Sequence, residues 1–236
     1  MSRVQLKPLL ILALLFAAFV PIGTLTHELG HMSVAWMHGY DAQLHYAYAT
    51  HEESPLNAER IRLYDENEEA IGKGLDFPDK EKLLALENEL NHENFLISAG
   101  GPFQTILTGI LGLLILYFRK TRHKTTWSWP DWLAVFLSLF WLREIFNPLV
   151  SFSLSSSTPG FGPSYGGDEL YMALYKGLHP GTFAIPLAII GAIVAIYVVF
   201  WVVPVKYRLS FIIAGFLGAA IGFAGWMMWL GPMLLP

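Results

Sequence analysis

Cysteine is absent from the 236 residues. That excludes disulfides and thiolate metal sites, so any transition metal must be held by histidine and carboxylate. Charge is also scarce: Asp, Glu, Lys and Arg make up 14% of the chain, against 54% hydrophobic residues and a mean hydropathy of +0.44. Soluble domains carry about 25% charged residues, so this composition is that of an integral membrane protein. Positive charge is in deficit, with 15 Lys plus Arg against 19 Asp plus Glu and a net charge of −4. No stripe of Arg and Lys interleaved with aromatics is present, which argues against nucleic acid as a partner.

What is there is a series of apolar runs. The first, 8–23, opens a span expected to occupy 1–38. Arg3 and Lys7 before an apolar middle also fit a secretory signal, but no small-x-small cleavage site precedes Thr24 and helix-compatible sequence continues through Trp36, so an uncleaved span is expected. Four more runs, 95–118, 132–152, 183–205 and 209–230, reach the roughly 20 residues a bilayer requires. The expected fold is an all-α polytopic membrane protein of about five transmembrane helices, with a small extramembrane α+β insertion at 39–94 and a membrane domain at 95–236. Within the insertion, 42–50 alternates Leu44, Tyr46 and Tyr48 with Gln43, His45 and Ala47, the period of a strand or hairpin. The stretch 79–94 places Leu83, Leu86 and Leu90 on one helical face after Pro78, a helix able to lie on the membrane surface. Ser153 to Gly167, rich in Ser, Gly and Pro, reads as a loop. Gly215, Gly218, Ala219 and Gly222 would let the last span approach a neighbour closely, as ordinary helix packing.

Basic residues cluster in the short links: Arg119, Lys120, Arg122 and Lys124 between spans two and three, Lys206 and Arg208 between spans four and five. With Arg3 and Lys7 they place the N-terminus in the cytoplasm, and the acidic insertion and the segment 153–180 outside.

His27-Glu28-Leu29-Gly30-His31 continues the first apolar run. On a helix the two histidines share one face and can reach one metal ion, with Glu28 beside it as general base for a metal-bound water. Ionisable groups in such a segment are costly without partners and mark function. A catalytic zinc takes three protein ligands and leaves a fourth position open. Asp168 and Glu169 qualify as the third: they follow Gly166-Gly167 and open a short helix near 168–178 on the same side of the membrane. Glu144, beside Arg143 inside span three, fits an intramembrane ion pair or polar cavity contact better than ligation. His38 reads as a polar helix end. Ser98-Ala99-Gly100-Gly101-Pro102 permits a helix break and a close backbone approach, or simply tight packing.

These features resemble the site-2 protease family of intramembrane zinc metalloproteases, through His27, Glu28 and His31, the Gly101-Pro102 pair and Asp168. The resemblance implies one Zn²⁺ per chain held by His27, His31 and Asp168, with Glu28 activating water to cut a peptide bond in or near a transmembrane segment of a membrane-embedded protein substrate. Gly100, Gly101, Pro102 and Asn147 are the candidate substrate contacts, and the 42–50 strand offers an edge to an extended substrate. Three departures stand out. Thr105 occupies the position three after the proline where the family often has asparagine. Glu169 follows the aspartate where glycine is usual. Asn147-Pro148 lies some twenty residues before Asp168 rather than a few. Known members also place the metal nearer the cytoplasm, whereas the loop charges here place it nearer the outside. Two other readings fit the residues: a noncatalytic membrane scaffold or chaperone keeping the zinc-protease fold, and another metallopeptidase class with Glu169 or Glu144 as third ligand.

Overall fold

The computed structural model describes residues 4–124, 126–157 and 166–236. Arg3 and residues 158–165, the centre of the expected 153–167 loop, lie outside them. Five helices are long and apolar enough to cross a membrane, as the hydropathy pattern requires, and the architecture is all-α and polytopic with one small two-stranded sheet.

Helix α1 (Leu6–Met37) carries the histidine motif in its second half. It ends at His38, whose Nδ1 lies 2.9 Å from the Val34 carbonyl, so His38 is the polar helix end expected of it. Gly39, at φ 83, turns the chain into an antiparallel hairpin of β1 (Ala42–Leu44) and β2 (Ala49–His51), with Leu44 opposite Ala49. The hairpin turn is tied to the far end of the chain: the Tyr46 N–H donates to the Leu235 carbonyl at 2.9 Å and Trp226 Nε1 donates to the Tyr46 carbonyl at 2.7 Å. Next come α2 (Pro55–Glu66), started by the Ser54 hydroxyl accepting from the Leu56 N–H, and α3 (Glu68–Gly72).

Helix α4 (Lys80–Phe118) corrects the sequence reading twice. The separate surface helix at 79–94 and the second span are one continuous 39-residue helix, and Gly100-Gly101-Pro102 does not break it. Pro102 forfeits one backbone donor, a loss a long helix tolerates when neighbours pack around it. The apolar face with Leu83 and Leu90 is buried and packs against α2, whose Leu63 is also buried, rather than facing lipid headgroups. Glu59 of α2 pins the two helices together, 2.6 Å from Arg62 and 2.5 Å from Lys82. These two cations hold its carboxyl down at about 2.

The third span is α5 (Trp129–Ser138), a 3-10 turn at Leu139–Trp141 and α6 (Leu142–Ser157). Residues 153–157 are therefore helical, against the loop expected there. At its start the fully buried Asp131 accepts from Arg119 Nε at 2.8 Å and Lys124 Nζ at 2.7 Å. Half of the basic cluster in that link thus neutralises a buried carboxylate.

Gly167, at φ 92, leads into α7 (Asp168–Tyr175), the short helix expected near 168–178. Helix α8 (Gly181–Tyr197) with a π-helical turn at Val198–Val202 forms the fourth span. Helix α9 (Val205–Gly225), a π-helical turn at Trp226–Leu230 and α10 (Gly231–Leu234) complete the fifth. The main core lies between α1, α4, α5 and α9, where Phe16 packs edge-on against Phe136 and Phe211 at 4.8 and 5.1 Å. Gly222 lets α9 rest on the α1 backbone, since a Cβ there would lie 2.6 Å from the Ala17 carbonyl oxygen.

Candidate metal centre

Three elements meet at the site. Helices α1 and α4 cross in backbone contact: a Cβ on Gly30 would lie 2.9 Å from the Gly100 carbonyl carbon, and one on Gly100 would lie equally close to that of Gly30. His27, about one turn before Gly30, and His31, the residue after it, both face the α4 backbone at Gly101. Their Nε2 atoms are 3.2 Å apart. Helix α7 supplies Asp168, with Oδ2 2.8 Å from His27 Nε2 and Oδ1 3.4 Å from His31 Nε2. His27, Glu28 and His31 form a group able to hold a metal ion, with ligand atoms within 4.8 Å of one another.

The other nitrogen of each imidazole is held as a metal-ligating histidine requires. His27 Nδ1 lies 2.9 Å from the hydroxyl of Thr105, which is 1% exposed, and His31 Nδ1 lies 2.7 Å from the Ile97 carbonyl. With Nδ1–H donating to these oxygens, both Nε2 lone pairs turn toward Asp168. Gly101 closes the other side: a Cβ there would collide with Nε2 of both histidines. The space in front of the imidazoles is thus kept open by the missing side chain.

Glu28 is buried beside the pair and borders the same cavity as Ala49 of β2. A cavity of about 220 Å³ opens there, bounded by Glu28, His31, Asp168, Ser98 and the β2 residues Ala49 and Thr50. The hairpin roofs the site.

The structure sorts the remaining candidates. Of the three carboxylates proposed as third ligand, Asp168 alone reaches the histidines. Glu169 and Glu144, each 1% exposed, face each other, and none of their oxygens has a hydrogen-bond partner among the described residues. The ion pair expected between Arg143 and Glu144 does not form. Neighbouring residues on a helix point about 100° apart, and Arg143 instead reaches Glu28, Nη2 to Oε1 at 3.7 Å. Asn147 lies against Gly167 at the entry to α7, away from the cavity lining. Gly100 serves the helix crossing, and Gly101 faces the imidazoles. Sequence reasoning marked Thr105 only as a departure and missed its part in orienting His27. The signal was present, a hydroxyl one turn after Gly101 on the face that Gly101 presents.

The chain matches no protein-family model, no curated protein and no solved structure.

Proposed function

We propose that this is a zinc-dependent intramembrane metalloprotease of the site-2 protease type, hydrolysing a peptide bond in or near a membrane-spanning segment of its substrate. The observation that carries the reading is the convergence of His27, His31 and Asp168, with Glu28 alongside. Zinc bound tetrahedrally at about 2.0–2.2 Å sets its ligand atoms roughly 3.3–3.5 Å apart. The separation of the two Nε2 atoms, 3.2 Å, lies near that edge length, and one oxygen of Asp168 lies 2.8 Å from His27 Nε2 while the other lies 3.4 Å from His31 Nε2. An all-nitrogen-and-oxygen donor set with both Nδ1 atoms anchored suits zinc, and three protein ligands leave a fourth position for water.

A zinc ion held there supplies Lewis acidity toward a peptide carbonyl and lowers the pKa of water. The chain's own residues do the rest. Glu28 takes the proton from the attacking water and passes it to the leaving amine. Its carboxylate lines the cavity alongside Ala49 of β2. The β2 backbone beside Glu28 offers main-chain groups to a substrate strand, the form a helix must adopt before its carbonyls can be attacked. The charge of the basic links supports a cytoplasmic N-terminus and a site toward the extracytoplasmic side.

The test is zinc content and cleavage of a transmembrane-segment substrate by the purified chain in lipid nanodiscs. Wild type should bind one zinc and cleave. Glu28→Gln should keep the zinc and lose at least a thousandfold in turnover, and His27→Ala should lose both. Turnover retained in Glu28→Gln, or four protein ligands and no water around the metal, would sink the proposal and favour a structural role.

A further inference from the structure

Arg143 is the charged group of the site that the hydrolytic scheme leaves unused. It is the second residue of α6, immediately after the 3-10 turn, and that turn aims its guanidinium at α1. Its one ionic contact among the described residues is the Glu28 carboxylate, at 3.7 Å, too long for a hydrogen bond. Its Nε is buried with no partner. Glu144 and Glu169 lie within electrostatic range, yet neither comes to ion-pair distance of it. A planar fork of five donors, 28% exposed in a membrane-spanning segment and making no hydrogen bond among the described residues, has donors to offer an incoming oxygen anion.

We infer that Arg143 binds a substrate carboxylate on the leaving-amine side of the cleaved bond. The inference rests on the peptidase reading: if Glu28 hands its proton to the leaving amine, that nitrogen comes within hydrogen-bond reach of Glu28. The residue bearing it then lies within a side chain's reach of the Arg143 guanidinium, whose Nη2 is 3.7 Å from Glu28 Oε1 behind the cavity wall. Guanidinium and carboxylate match as two parallel hydrogen bonds, a geometry that lysine does not reproduce. The carboxylate has two sources. It is the side chain of an Asp or Glu following the cut, or the free C-terminal carboxylate of the residue released.

Mass analysis of products from the transmembrane-segment substrate fixes the cleaved bond and defines two probe pairs. One pair carries Asp or Asn directly after that bond. The other ends there as a free carboxylate or as its amide. In wild type, kcat/KM for the carboxylate probe of one pair should exceed that of its neutral partner by about ten- to hundredfold, the worth of a charge-assisted pair, expressed mainly in KM. Which pair shows the preference identifies the source. In Arg143→Gln the ratio should fall to about one, and in Arg143→Lys to an intermediate value. A wild-type ratio near one, an unchanged ratio in Arg143→Gln, or loss of zinc from both Arg143 variants would each overturn the inference. Inactive wild type or active Glu28→Gln would instead overturn the peptidase reading itself, so the two failures are told apart.

Discussion

Gly101→Ala adds one methyl group and removes no ligand, yet it should weaken metal binding. Built on the α4 backbone, the new Cβ would collide with Nε2 of His27 and of His31 and lie 2.7 Å from His27 Cε1. Ordinary carbon–nitrogen contact requires about 3.4 Å or more, so the rings must retreat by roughly 1 Å. Metal–ligand distances tolerate about 0.2 Å. Neither ring has room to retreat, because Thr105 and the Ile97 carbonyl hold both imidazoles from behind. Overpacking of this kind costs about 1–3 kcal/mol, a loss of roughly ten- to hundredfold in metal affinity. The assay is competition for zinc against a chromophoric chelator, with a parallel thermal melt. Gly225→Ala is the control, since nothing lies within 4 Å of a Cβ there. On a helix that change should be neutral or slightly stabilising. Wild-type zinc affinity in Gly101→Ala would refute the placement of the imidazoles against α4, and with it the proposed centre.

Three further outcomes follow from the same geometry. Thr105→Val should leave His27 Nδ1–H without an acceptor and weaken metal binding about ten- to hundredfold, read by the same competition, and an unchanged affinity would remove Thr105 from the site. Asp168→Ala should lose the metal, whereas Glu169→Gln should hold it within about threefold of wild type; the reverse pattern in elemental analysis would make Glu169 the ligand. Glu59, held down at about 2 by Arg62 and Lys82, should help tether α2 fully above the ordinary carboxylate range, near pH 4.5, with the contribution fading as the pH falls toward 2. Any difference in melting temperature between wild type and Glu59→Gln at pH 7 should therefore shrink at low pH and in high salt. A difference that persists at pH 2 would assign it to packing instead.

The spans and the histidine motif were legible in the sequence because both are local signals, apolar length and an i, i+4 spacing on one helix. The hairpin was legible for the same reason, through a period-two alternation. The continuity of α4 was not, since Gly-Gly-Pro reads equally as a break or as a packing surface, and the facing Gly30 on another helix decides between them. Asp168, Glu169 and Glu144 could not be ranked from spacing, because the choice depends on where α7 starts against α1. For Glu144 the sequence left an ion pair with Arg143 and a polar cavity contact open; a helix points neighbours apart, and the ion pair is the alternative that does not form.

On the proposed reading, the lengths of α1 and α4 set how far hydrolysis would stand from each surface of the bilayer. Gly101 lies seventeen residues before the end of α4 at Phe118, and His27 twenty-one residues after the start of α1 at Leu6. At 1.5 Å per residue these are about 26 and 32 Å, close to the roughly 30 Å of a hydrocarbon core. Measured on two antiparallel helices, hydrolysis would take place at the opposite lipid boundary, under the hairpin. Water there has only a few ångströms to travel, and a substrate need expose only the last turn of its buried segment.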